Sequence, residues 1–89
     1  MPRMVVLHNV VDIDRWIAGK EERAGALGSV GGTNVVDFVA KDGSNAVAIS
    51  ADVDDVDAML AGLASPSPEV VAAMESHGVL MPMTVYVEK

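Results

Sequence analysis

The feature that most constrains the fold is an apolar, valine-rich run that passes almost directly into a helix start. Residues Met4–Val11 are mostly apolar and β-branched, which predicts a strand. Asp12 follows at the position of a helix N-cap, where its carboxylate can accept backbone N–H groups of the first turn. The apolar residues after it recur at helical spacing: Ile13, Trp16, Ile17, Ala24 and Leu27. This stretch predicts a strand–helix unit that holds both His8 and the only tryptophan.

Two more strands follow this first unit, and turn-forming residues separate them. The glycine-rich segment Gly28–Gly32 is expected to end the helix and turn the chain. Thr33–Ala40 is predicted as the second strand and Ala46–Ala51 as the third. The residues between them, Lys41–Asn45, are typical of a hairpin connection, so the two strands are expected to be antiparallel.

The second helical region is predicted to be interrupted near its middle. Asp54 and Asp57 have the spacing of a capping box, which places the helix start near Asp54. The segment Ala64–Pro68 breaks the helix, because proline lacks an N–H donor and clashes with the preceding turn. Ser67 can then serve as the N-cap of a short second helix, with proline at its first position. Gly78 is expected to close that helix.

Met81–Val87 is predicted as the last strand, which completes the order β-α-β-β-α-β over residues 1–89. This order is that of the ferredoxin-like α+β arrangement, with one four-stranded antiparallel sheet. The two helical regions are expected on one face of the sheet, and the whole chain is expected to form a single domain.

Successive side chains of a strand point to opposite faces of the sheet, and in this chain both sets of alternating positions are apolar. In the first strand Val5 and Leu7 lie opposite Val6 and His8, and in the second Val36 and Phe38 oppose other valines. Since two helices can cover only one face, we expect a homodimer that packs through the uncovered sheet face. The alternative is that a few exposed valines are simply tolerated by a monomer.

The composition argues against several classes of function. The chain has 89 residues, 51% of them hydrophobic, and a net charge of −7. This charge disfavours nucleic acid and anionic membranes as partners. No apolar run approaches the roughly 20 residues of a membrane span. Since the start lacks the layout of a signal peptide and the chain has no cysteine, we expect a cytoplasmic protein without disulfides.

His8 is the candidate catalytic residue, because it interrupts an apolar strand and titrates near neutral pH. The alternative is a core histidine bonded to a backbone carbonyl or a nearby acid. His77 precedes Gly78 at a helix end, where a cation favours the helix dipole. Two histidines without a third local ligand do not predict a metal site. Arg15 is expected to be a solvated surface residue; the alternatives are that it pairs with Asp12 or Asp14 or binds an anionic ligand.

Four residues are candidates for the wall of a small-molecule pocket: Trp16, Phe38, Met83 and Tyr86. Trp16 either walls a pocket or belongs to the core, and Tyr86 either donates a hydrogen bond or fills the sheet. Asp37 is expected in the second strand, facing a cavity or a solvent edge. The charged residues Lys20–Arg23 are expected largely on the outer side of the first helix. No nucleotide, flavin or haem motif is present, so no cofactor is predicted.

Three segments of the chain carry a resemblance to a known family. They are the opening His8–Trp16, the helix with a Ser-Pro break from Leu63 through Met74, and the stretch Gly78–Glu88. In these segments the chain resembles the dimeric α/β-barrel proteins, in particular small members that are antibiotic-biosynthesis-monooxygenase-like or cyclase-like. The resemblance implies a homodimer whose two sheets enclose a barrel, with the helices outside, and oxidation without a cofactor.

Two hypotheses for the function follow. In the first, each protomer binds an apolar aromatic or polyketide-like molecule between sheet and helices, and His8 acts on it as a base or hydrogen-bond donor. In the second, the protein is a non-catalytic dimeric binding or scaffold module, and His8 is a satisfied core residue. The fold itself does not decide between them, because it hosts many activities.

Overall fold

The computed structural model describes residues 2–29 and 31–89. Within them the strands are β1 (Arg3–Val10), β2 (Gly32–Val39), β3 (Ala46–Val53) and β4 (Val79–Val87). The helices are α1 (Ile13–Ala18), α2 (Lys20–Gly28), α3 (Val56–Ala64) and α4 (Pro68–Ser76). Met1 and Val30 lie outside the described residues, and so does the Val30 part of the predicted turn at Gly28–Gly32.

The described strands form one antiparallel sheet in the order β2-β3-β1-β4. The two central strands are in register at Val6 and Ile49, and β4 pairs Val85 with Val6 from the other side. This strand order, with the helices between β1 and β2 and between β3 and β4, is the ferredoxin-like α+β fold. The predicted fold class is therefore confirmed.

The start of α1 follows directly from the sequence. Asp12 is the N-cap, and its Oδ1 accepts hydrogen bonds from the backbone N–H groups of Asp14 at 2.9 Å and Arg15 at 3.3 Å. Ser67 caps α4 in the same way, accepting from Val70 N at 3.4 Å, with proline at the first helical position. Both of these predicted caps are present because each depends only on neighbouring residues.

The predicted start of the second helical region was wrong by one residue. The N-cap of α3 is Asp55, whose Oδ1 accepts from Ala58 N at 3.0 Å, so Asp54 and Asp57 form no capping box. The reason lies in β3, which continues to Val53, two residues beyond its predicted end at Ala51. Pairing of Val53 with Gly32 extends the sheet and delays the helix.

The first predicted helix is broken at Gly19 into α1 and α2. Within α1, Trp16 is completely buried, whereas Ile17, predicted on the same inward stripe, is 46% exposed. Gly19 has a negative φ of −89° and needs no glycine for its backbone conformation. Its lack of a side chain is needed for another reason: a Cβ there would overlap the ring of His77.

Arg15 joins the first and last helices. Its Nε donates to Ser76 O at 2.7 Å and its Nη2 donates to Glu75 O at 2.6 Å. These carbonyls belong to the end of α4, where a cation is favoured by the helix dipole. Arg15 is exposed, as expected, but its partners are these carbonyls rather than an acid: it caps the C-terminus of α4, and the chain turns there through Gly78 at a φ of +73°.

The helices cover one face of the sheet and leave the other uncovered. Buried residues on the covered face form two neighbouring groups, one of Met4, Val6, Ala51, Val53 and Met59 and one of Val10, Trp16 and Val47. The uncovered face exposes large apolar side chains, with Val36 at 42%, Phe38 at 48% and Tyr86 at 60%. We call this surface the open sheet face. Among the described residues, no helix is long and apolar enough to cross a membrane.

The glycines of the first helical region provide a matched test of the close approach at Gly19. Gly19→Ala is expected to lower the free energy of unfolding by about 1–3 kcal/mol, because the His77 ring must move out of a packed site. Gly25→Ala, which meets no atom within 4 Å, is expected to raise it by about 0.5–1 kcal/mol through helix propensity. Urea unfolding at one protein concentration measures both changes. Equal stability of Gly19→Ala and the wild type would contradict the proposed contact.

Candidate functional site

A cavity of about 130 Å³ lies between the covered face of the sheet and the helices α2, α3 and α4. Its floor includes Met4, Val6 and His8 of β1, and its roof includes Leu27 of α2 and Ala73 of α4. The wall is almost entirely apolar, and the cavity is partly open to solvent. Such a concave apolar site with few polar groups is typical of a small-molecule pocket, although this one is smaller than most.

His8 supplies a polar ring to this apolar wall. The residue is 7% exposed, and its Nδ1 lies 3.0 Å from Asn9 O. Because a carbonyl oxygen only accepts hydrogen bonds, Nδ1 must carry the proton in the neutral ring. The lone pair then lies on Nε2, which has no hydrogen-bond partner among the described residues. The ring therefore presents a hydrogen-bond acceptor and a base.

The backbone opposite His8 is irregular. Leu7 pairs with Thr84 and Asn9 pairs with Leu80, so β4 places three residues against the single residue His8. Bulges of this kind disrupt regular pairing and re-aim side chains, and they are common next to functional sites. On its other side His8 keeps regular pairing with β3. The irregularity thus lies at the one residue of β1 that carries a titratable ring on the covered face.

The surroundings of His8 favour its neutral form. Burial lowers the pKa of His8, and the positive charge of Arg23 lowers it further, while the hydrogen bond to Asn9 O opposes these effects. The ring also packs edge-on against Trp16, with 6.1 Å between ring centroids and an angle of 76° between the planes. At neutral pH His8 is therefore uncharged and available to accept a proton.

Arg23 is a buried charge beside His8. Its guanidinium carbon lies 4.0 Å from the centre of the Trp16 ring, and its Nη1 donates to Trp16 O. Its Nη2 lies 3.4 Å from Asp37 Oδ2, and the two side chains of this ion pair are only 9% and 8% exposed. Burial lowers the pKa of Arg23, and Asp37 opposes that shift. The expected outward position of Arg23 is thus wrong, because tertiary partners hold it inside.

His77 completes the polar cluster. It is the C-cap residue of α4, but its ring is buried and its Nδ1 lies 3.5 Å from Arg23 Nη1. Because a guanidinium only donates, Nδ1 of His77 must accept and Nε2 must carry the proton. Nε2 lies 3.5 Å from Glu22 Oε2 without forming an aligned hydrogen bond. The ring thus helps to hold Arg23, a function that helix capping alone does not explain.

The sequence contained signals from which the positions of Arg23 and Asp37 could have been predicted. Arg23 follows Trp16 by seven residues, a spacing that returns to the same side of a helical segment. Asp37 has the parity of the covered face in β2, so a carboxylate there must lie under the helices or at the edge of the sheet. His77 carries no comparable signal, since its partners come from α2.

The structure brings together some of the predicted site residues and separates others. His8 and Met83 both line the cavity. Trp16 is completely buried against His8 and Arg23 and is a core residue. Phe38 and Tyr86 lie on the open sheet face, opposite the cavity, because their parity in β2 and β4 differs from that of the covered face. They are therefore not part of this cavity.

Among the described residues, no group of three or more His, Cys, Asp and Glu side chains is arranged to hold a metal ion. His8 and His77 both border the cavity; His8 contacts Asn9 O, and His77 contacts Arg23 and Glu22. His8 can supply acid–base chemistry and hydrogen bonding at this site.

Solved structures with the same fold extend over almost the whole chain. No family model and no curated protein matches. A provisionally named antibiotic biosynthesis monooxygenase of Bordetella bronchiseptica superposes with a TM-score of 0.76 at 13% identity, over 99% of this chain and 94% of that one. A variant of SnoaB, a cofactor-independent oxygenase of Streptomyces nogalater, gives 0.67 at 15% identity, over 96% and 89%.

A third neighbour is described as dimeric. It is a Bacteroides fragilis protein of unknown function with a ferredoxin-like fold, and it superposes with a TM-score of 0.59 at 17% identity over 99% of this chain and 94% of that one. At such identities the likeness shows the fold alone. The predicted resemblance to monooxygenase-like proteins of the ferredoxin-like fold, some of them dimeric, is confirmed at that level.

The lowered pKa of His8 predicts a specific dependence of stability on pH. Between that lowered pKa and the ordinary value of about 6.5, the unfolded chain binds more protons than the folded one. The contribution of His8 to stability is therefore complete above about pH 6.5 and is lost as the pH falls through the lowered pKa.

His8→Gln removes the titrating group and is expected to flatten the rise of the unfolding free energy with pH in this window. Urea unfolding of both proteins from about pH 5 to pH 8 measures the slopes. Glu22, Arg23, Asp37 and His77 remain in the variant, so their contributions cancel in the comparison. Identical slopes in the two proteins would show that the pKa of His8 is not lowered by folding.

Proposed function

We propose that this protein is a homodimeric enzyme that binds a small apolar molecule in the cavity of each protomer and uses His8 as a base. The observation that carries the proposal is the neutral His8 ring in an almost wholly apolar cavity, with Nδ1 committed to Asn9 O and Nε2 free. A base of this kind works near neutral pH, where it is unprotonated. Its proposed place of action is the cytoplasm, and no nucleic acid or membrane takes part.

The proposed chemistry begins with proton transfer to His8 Nε2 from an acidic C–H or O–H group of an aromatic or polyketide-like substrate. In an oxygenase reaction the resulting electron-rich anion reacts with O2, and conversion of a CH2 group to C=O by one O2 releases one water. The substrate then supplies all the electrons, so no cofactor is required. The likeness to SnoaB, a cofactor-independent oxygenase, supports this reaction class. A cyclase-like reaction would begin with the same proton transfer.

The apolar side chains of the open sheet face support the proposed homodimer. Leu7 is 37% exposed on the central strand β1, Tyr86 lies on the neighbouring strand β4, and Val36 and Phe38 lie on the edge strand β2, beyond β3. A monomer rarely exposes so many large apolar side chains on one sheet face. A second copy packed on the same face would bury them symmetrically, and the Bacteroides fragilis neighbour is described as dimeric.

His8→Gln tests the enzymatic role, because glutamine keeps a polar side chain but cannot act as a base. Oxygen uptake and product formation are measured with a panel of hydroxylated aromatic and polyketide-like compounds. A compound that the wild type converts is expected to react at least about 100-fold more slowly with the variant. Sedimentation must show the same assembly for both proteins. Full activity of His8→Gln, or binding of compounds with no conversion of any, would favour the non-catalytic alternative.

Phe38→Lys tests the dimer. Phe38 lies on the edge strand β2 of the open sheet face. A charge there is expected to convert the protein to a monomer in sedimentation velocity, because an unpaired charge would be buried in the interface. Val71→Lys on α4 is the matched control, since Val71 is 39% exposed and Phe38 is 48% exposed. The control is expected to leave the dimer intact. A wild type that sediments as a monomer, or a dimeric Phe38→Lys, would overturn the proposed interface.

A further inference from the structure

The volume of the cavity limits what it can enclose. An apolar cavity of about 150 Å³ in another protein holds one benzene molecule. The cavity described above measures about 130 Å³ and is open on one side. A single six-membered ring therefore fits with its substituents toward the opening, whereas the further rings of a fused system would extend beyond the enclosed volume.

The polar chemistry that an occupant meets comes from His8. Two charged side chains also border the cavity: Arg23 already binds Trp16 O, Asp37 and His77, and Glu22 is 65% exposed, so its carboxylate is solvated beside His77. Arg23 Nε and His77 Nε2 lack partners among the described residues, but both atoms are fully buried. They are therefore closed to a molecule in the cavity. His8 Nε2, in contrast, lies on the floor of the cavity with its lone pair unused.

A hydrogen-bond acceptor without a partner in an apolar wall favours ligands that carry a hydrogen-bond donor. An occupant that lacks an O–H or N–H group would leave Nε2 desolvated and unpaired, which costs binding free energy. An occupant with a donor would satisfy Nε2 and keep its apolar body against Val6, Leu27 and Ala73. An unpaired polar atom in a binding site discriminates between ligands more strongly than the gain or loss of a single methylene group does.

We propose that the cavity selects a single-ring aromatic molecule with a hydroxyl group, of which phenol is the simplest, and that the hydroxyl donates to His8 Nε2. This inference rests on the proposed function, because it names the class of compound that the same cavity takes. The hydroxyl proton is also the proton that His8 would remove, which leaves an electron-rich phenolate ring. Fused-ring phenols are disfavoured because part of them would lie outside the enclosed volume, and aryl ethers because they lack a hydrogen-bond donor.

Three probes test the proposal by amide chemical-shift titration in NMR: phenol, anisole and 1-naphthol. Phenol is expected to shift the signals of residues around the cavity and to bind at least about 10-fold more tightly than anisole. His8→Leu is expected to remove the preference for phenol over anisole while apolar binding persists. Equal binding of phenol and anisole by the wild type, or tighter binding of 1-naphthol in the cavity, would overturn the proposal.

A filled cavity provides the matched control. Ala73→Leu on α4 places three more carbon atoms in the cavity and is expected to abolish phenol binding, with an unfolding midpoint at least equal to that of the wild type. Ala72→Leu on the same helix lies outside the cavity and is exposed, so it is expected to bind phenol normally. Unchanged phenol binding by a folded Ala73→Leu would show that phenol binds elsewhere, and would contradict the proposal.

The outcomes separate this inference from the enzymatic proposal. Binding of phenol at the cavity without conversion of any compound supports the ligand class and contradicts catalysis. Conversion of fused-ring compounds by a protein that does not bind phenol supports catalysis and contradicts the ligand class.

Discussion

The burial of one positive charge, the guanidinium of Arg23, is the constraint on which the rest of the site depends. A charge inside a protein must be paired and hydrogen-bonded, or it destabilises the fold by several kcal/mol. Its partners come from three separate elements: Trp16 on α1 at 4.0 Å, Asp37 on β2 at 3.4 Å, and His77 after α4 at 3.5 Å. Satisfying this one charge therefore fixes how both helical regions lie on the sheet. The absence of a side chain at Gly19 lets His77 approach, so the break between α1 and α2 belongs to the same arrangement.

The same charge determines the state of His8. Burial is the larger cause of its lowered pKa, and Arg23 adds a second cause of the same sign. Arg23 thus helps to keep the neighbouring His8 neutral, and Nε2 of His8 faces a cavity whose wall is almost wholly apolar. The atoms of Arg23, Asp37 and His77 that lack partners among the described residues are fully buried, so they do not compete for an occupant. The fold shared with the three solved structures at 13–17% identity supplies the sheet and the helical cover, but the chemistry must come from these particular side chains.

Patterns among residues close together in the sequence were sufficient to predict much of the fold. The strands, the caps at Asp12 and Ser67 and the break before Pro68 depend on neighbouring residues, and all are present. Long-range effects caused the errors: β3 extended past Ala51 because Gly32 pairs with Val53, and Arg23 turned inward because Asp37 and His77 lie 14 and 54 residues away. The alternation of side chains along the strands puts His8 on the sheet face that the helices cover. The same alternation puts Phe38 and Tyr86 on the open sheet face. Their selection as pocket residues overlooked that only one face is covered.

The tautomer of His8 is the most direct test of this account, because both proposals require a neutral ring with a free Nε2. Nitrogen-15 NMR of the histidine side chains near pH 7 distinguishes the two ring nitrogens, and comparison with His8→Gln assigns the signals. The account predicts a neutral His8 with the proton on Nδ1 and an unprotonated Nε2. A charged imidazolium, or a proton on Nε2, would contradict it, because neither form could accept a proton or a hydrogen bond from a molecule in the cavity.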